Sequence, residues 1–88
     1  MQTFIVYAQQ FGVKPIHIEK NEDDCFLVSD IKNKFLDKLI EINKEFKKIN
    51  IDQLRLIYMG TECKDDESIN KYCNYNKEIL INMYLKNN

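Results

Sequence analysis

The chain is poor in the residues that punctuate a fold and in those that build reactive loops. Its 88 residues include two glycines, one proline and three cysteines, with no Cys-x-x-Cys pair. No glycine-rich segment is present to cradle a phosphate. Cys25, Cys63 and Cys73 are odd in number, and no secretory signal is visible in the sequence; they are expected to be reduced thiols of a cytoplasmic or nuclear setting. An excess of one charge is also missing. Thirteen Lys and Arg against 14 Asp and Glu leave a net charge of −1, which supplies no field to attract nucleic acid or an anionic membrane. The apolar runs fall far short of the ~20 residues that span a bilayer, and the N-terminus opens on strand-like residues rather than a signal peptide.

What is present suffices for one small domain, residues 1–88. Hydrophobic residues make up 44% of the chain, too many for a disordered segment. "QTFIVYA" (2–8) has the β-branched and aromatic content of a strand. "QQFGV" is a turn around Gly12, and "PIHIEK" is a second strand with Ile16 and Ile18 inward and His17 outward. Pro15 cannot donate to a sheet ladder, so this strand is expected at an edge. The acidic loop "NEDD" precedes a helix, where negative charge suits the positive N-terminal end. Val28, Ile31, Phe35, Leu39, Ile42, Phe46 and Ile49 recur at three- and four-residue spacing and predict a helix from Val28 to about Lys48. Ser29 and Asp30 suit its first turn. Leu36 and Ile40 lie off the stripe, either covered by a neighbouring segment or forming a second contact face. The strand "QLRLIYMG", the polar stretch "TECKDDES" and a last strand at 79–85 follow, with Ile79, Ile81, Met83 and Leu85 alternating with Leu80, Asn82 and Tyr84.

Candidates for chemistry are thin. The lone His17 reads as a surface residue. Cys25 lacks a basic neighbour to lower its pKa. Three cysteines and His17 lack the paired spacing of a zinc site. Asp23-Asp24 and Asp65-Asp66 read as solvated turns. The helix lysines are interleaved with Asp37, Glu41 and Glu45, which describes a solvated face rather than an anion site.

The order hairpin, helix, strand, loop, strand predicts an α+β fold: a mixed sheet of four to five strands with one long helix across one face, the β-grasp order. The residues then become specific. "MQTFIV", "VSDIKNKF", "DQLRLIYMG" and "KDDESINKY" resemble, in order, the opening strand, helix start, central strand and turn, and tyrosine segment of the ubiquitin superfamily. The third is nearly residue for residue the family's Asp-Gln-x-Arg-Leu-Ile-Phe/Tyr-x-Gly. The likeness is greatest to the N-terminal ubiquitin-like domains of proteasome-shuttle proteins. It implies that Tyr72 is buried and bonds backbone through its hydroxyl, that Cys63 takes a core position usually held by leucine, and that an extra residue is inserted near Cys73. It also implies about two extra helical turns before the central strand. The chain ends "YLKNN" without the Gly-Gly of conjugated members, which implies a non-conjugated domain.

Leu54, Leu56 and Tyr58 alternate with Arg55, Ile57 and Met59. With the first set inward, Ile57 points outward beside a charge. By the resemblance it centres an apolar docking patch, with Tyr84 beside it, Arg55 as a positive rim, Gly60 leaving room for a partner, and Ala8 or Phe11 supplied from the hairpin tip. Asn82 replaces the family's histidine there. The expected protein is a non-catalytic monomer without a cofactor. It docks ubiquitin-binding domains or proteasome receptor subunits in the cytoplasm or nucleus, and contacts neither nucleic acid nor membrane. Two other readings stay open: a ubiquitin-like modifier with an atypical tail, and a scaffold that binds through the Pro15–Glu19 edge strand.

Overall fold

A computed structural model describes residues 1–21, 23–73 and 77–86. The first strand, β1 (Gln2–Tyr7), buries Phe4 and Val6 and leaves Tyr7 exposed. A 3-10 turn at Gln9–Phe11 ends on Gly12 at φ +70°, a left-handed conformation that glycine adopts without a Cβ penalty. β2 (Ile16–Lys20) returns antiparallel to β1, pairing Ile18 with Phe4 and Ile16 with Val6. It is an outer strand of the sheet, as Pro15 requires.

The helix, α1, spans Val28–Ile42. Its first amides find partners outside the helix, as its unpaired N-terminal donors must. The Val28 N–H donates to Glu67 O at 2.9 Å and the Ser29 N–H to Asp65 O at 3.1 Å. Asp30 Oδ2 accepts from the Leu27 N–H at 2.8 Å. The stripe residues Val28, Ile31, Phe35 and Leu39 are buried. The helix is shorter than its periodicity predicts. Asn43 adopts an extended backbone and accepts from the Glu45 N–H through its side chain at 3.0 Å, the local competition by which asparagine ends helices. Two 3-10 turns follow, Lys44–Lys48 and Ile51–Gln53. The segment expected as extra helical turns is therefore irregular. Phe46 and Ile49 still pack on the core, but Ile42, at the helix end, is 58% exposed. Leu36, expected off the stripe, is half-buried against the core, and Ile40 is half-buried as well.

β3 (Leu54–Tyr58) turns at Met59-Gly60 into a two-residue strand, β4 (Thr61–Glu62), and β5 (Glu78–Leu85) runs through the middle of the sheet. The order is β2-β1-β5-β3-β4, with β1 and β5 parallel and the other pairs antiparallel. This is an α+β fold: one five-stranded mixed sheet with a single helix packed across it, consistent with β-grasp. Between the two lie Phe4, Val6, Ile18, Leu54, Leu56, Ile79, Ile81 and Met83, all buried.

The segment after β4 is tied to the helix by a buried amine. Lys32, 2% exposed, donates to Leu54 O at 2.7 Å and pairs with the Asp65 carboxylate. Tyr72 is half-buried. Its hydroxyl accepts from the Lys64 N–H at 3.1 Å and donates to Glu67 Oε1 at 2.8 Å, so the expected tyrosine-to-backbone bond forms. Cys63 and Cys73 are buried and Cys25 exposed, all three as free thiols. The inserted residue expected near Cys73 and part of the acidic loop before the helix fall at 74–76 and 22, outside the described residues.

Candidate functional site

Alternation in β3 sends Leu54 and Leu56 under the helix and leaves Arg55 exposed and Ile57 half-buried on the helix-free face. The ladder then fixes their neighbours. Ile57 lies opposite Asn82 on β5 and Glu62 on β4, and Arg55 lies opposite Tyr84. Tyr84 is thus a diagonal neighbour of Ile57, within reach for a side chain of its size, rather than its direct partner. Arg55 Nη2 meets Glu62 Oε1 at 3.1 Å, both side chains well exposed. The positive rim is therefore neutralised within the chain, by a surface pair worth little to stability.

On the far side of β5, Tyr7 pairs with Asn82 and Ile5 with Leu80. Tyr7, Gln9, Asn82 and Tyr84 line a cleft of about 250 Å³. Tyr7 is 37% exposed, Tyr84 42% and Leu80 53%. The apolar face thus runs across three strands, from Ile57 past Tyr84 and Tyr7 to Ile5 and Leu80. Sequence reasoning missed Tyr7, Ile5 and Leu80 as members. β1 is apolar on both faces, so alternation alone cannot tell its outer side. Its parallel pairing with β5 decides the matter, and no local pattern encodes that.

Two expected members do not belong. Ala8 is fully buried, and Phe11 is 9% exposed with its ring edge-on to Phe35 at 5.5 Å and to Phe46 at 6.1 Å. The 3-10 turn curls the hairpin tip over the helix side of the core, so neither residue reaches the outer face. Gln10 fastens that turn, its Oε1 accepting from the Leu85 N–H at 2.8 Å. Gly60 has φ +81°, and a Cβ there would meet nothing within 4 Å. Its requirement is backbone conformation, not space. Met59, before it, is also left-handed at φ +49° and is 84% exposed.

Burial pushes the Cys63 thiol up, and burial together with the Cys63 charge pushes Cys73 up to about 12. Neither is a nucleophile at neutral pH. Hydrogen bonds from Lys71 and then from Tyr72 hold the Glu67 carboxyl below the ordinary carboxylate range. Among the described residues, no three His, Cys, Asp or Glu side chains lie together in a metal-binding arrangement, and no helix is long and apolar enough to cross a membrane. Compared with known proteins, the chain matches no family model and no curated protein.

Proposed function

We propose that this is a ubiquitin-like, non-catalytic interaction domain that docks helices of ubiquitin receptors or proteasome subunits on the sheet face around Ile57. The observation that carries the reading is a half-buried isoleucine on the helix-free face, with Asn82 opposite and Tyr84 diagonal to it on β5, Tyr7 one strand further on, and a neutralised Arg55–Glu62 pair at its border. A partner helix laying two or three apolar side chains on that face would displace water from aliphatic and aromatic surface without stranding a charge. The resemblance of "DQLRLIYMG" to the family strand supports the same residue as the anchor. The domain works as a monomer in the cytoplasm or nucleus, and contacts other proteins rather than nucleic acid or membrane.

The test is a titration of isotopically labelled protein with a ubiquitin-interacting helix, a ubiquitin-associated domain and a proteasome receptor fragment, read by amide chemical shifts. Perturbations centred on Arg55, Ile57, Asn82, Tyr84 and Tyr7 are expected. Shifts confined to Ile16–Lys20 would replace this reading with edge-strand binding through β2. Transfer of the chain onto other proteins in cells would replace it with a modifier.

A further inference from the structure

The turn between β3 and β4 breaks a local rule and gains no packing from doing so. Tyr58 and Thr61 pair, leaving Met59 and Gly60 as a two-residue loop with φ values of +49° and +81°. Both central residues are left-handed, the type I′ geometry that favours Asn-Gly. Methionine has no local hydrogen bond to offer in exchange for that conformation. Met59 is 84% exposed, whereas Met83 in the same sheet is 1% exposed. Met59 follows Ile57 by two residues, at the tip of the strand that carries it.

We propose that Met59 is a reversible oxidation site on the border of the docking face, where the sulfoxide weakens docking without loosening the fold. The oxidant is a hydroperoxide. A sulfur lone pair attacks its terminal oxygen, the S–O bond forms as the O–O bond breaks, and the departing oxygen takes up the proton and leaves as water or an alcohol. Sulfur gives up two electrons and the peroxide accepts them. A thiol-dependent reductase reverses the step, returning the oxygen as water while two thiols close to a disulfide. Exposure admits the oxidant to Met59, and burial among Leu56, Ile81 and their neighbours shields Met83. In water the new S=O dipole is solvated, so the core is indifferent to it. On a partner's apolar side chain it is a poor replacement for a soft thioether. This second effect rests on the docking reading; the first does not.

The experiment is graded peroxide treatment of the native protein, followed by peptide mass spectrometry, melting curves and binding of a ubiquitin-interacting helix. Met59 is expected to gain one oxygen at least tenfold faster than Met83, alongside the exposed Met1, with the melting temperature unchanged. Helix affinity is expected to fall severalfold and to return on treatment with methionine sulfoxide reductase. Met59→Leu should bind like the native protein and be insensitive to peroxide. Oxidation of Met59 no faster than Met83 overturns the site. Fast oxidation with unchanged affinity, or an equal peroxide effect in Met59→Leu, overturns the effect on docking. A native protein that binds no helix defeats the docking reading, and the oxidation order alone then decides the site.

Discussion

On β3 and β5 the residues under the helix, Leu54, Leu56, Ile79, Ile81 and Met83, are at most 2% exposed, while their chain neighbours Arg55, Ile57, Leu80 and Tyr84 are half-buried or exposed. Leu56 and Ile57 differ little as chemicals, and neither do Ile81 and Leu80. What separates them is the pleat, which turns each successive side chain to the opposite face, and a helix that covers one face only. Apolar residues on the covered face have stability as their consequence. Those on the open face leave area that water covers at a cost and that a partner can take up.

The largest loss is expected from truncating the covered side. Leu56→Ala should cost about 2–5 kcal/mol and lower the melting temperature by at least about 8 °C. If it costs less than the same change at Ile57, the strand register is shifted by one residue and the faces are exchanged.

Next in size is the amine that crosses the covered side. Lys32→Met keeps the aliphatic stem but leaves the buried Leu54 carbonyl without its donor, and denaturant unfolding should show a loss of about 1–3 kcal/mol. Tyr72→Phe removes bonds to the Lys64 amide and to Glu67, and should cost about 0.5–1.5 kcal/mol. The Glu67 carboxyl, held low by Lys71 and Tyr72, contributes stability that is present above the unfolded carboxylate value and is lost as pH falls through the depressed one. The acid side of the stability profile should therefore flatten in Tyr72→Phe.

The thiols sharpen the contrast by accessibility. Alkylation of the native protein at neutral pH should label Cys25 first and spare Cys63 and Cys73 until unfolding. Burial raises Cys73 to about 12 in the fold, so its contribution is fully present below the unfolded thiol value and is lost as pH climbs from there towards 12. Stability should decline over that alkaline range, and less so in Cys73→Ala. Rapid native labelling of Cys63 would show that the segment after Gly60 lies differently.

Strong patterns made most of this fold legible in advance. The helix stripe through Leu39, the edge placement of the Pro15 strand and the inward set of the last strand all follow from periodicity and from the missing proline N–H. What escaped has local causes. Asn43 stops the helix because its side chain captures a backbone amide, although the apolar spacing runs on to Ile49. β4 is two residues long, too short to show a period, and its turn carries Met where Asn would announce a hairpin. Ala8 and Phe11 were misplaced because apolar character cannot say over which face a hairpin tip will curl. Ile57 was legible as outward-facing, but its company across β5 and β1 depends on a pairing between distant segments.

The most direct measurement pairs stability with binding in Ile57→Ala. On an open face the change should alter stability by no more than about 0.5 kcal/mol, as surface substitutions do, and lower affinity for a ubiquitin-interacting helix by about 2 kcal/mol or more, as loss of a central anchor does. An Ile57→Ala protein that melts like wild type and no longer binds is the predicted result. One that unfolds, or that keeps both its fold and its full affinity for the helix, would contradict the account.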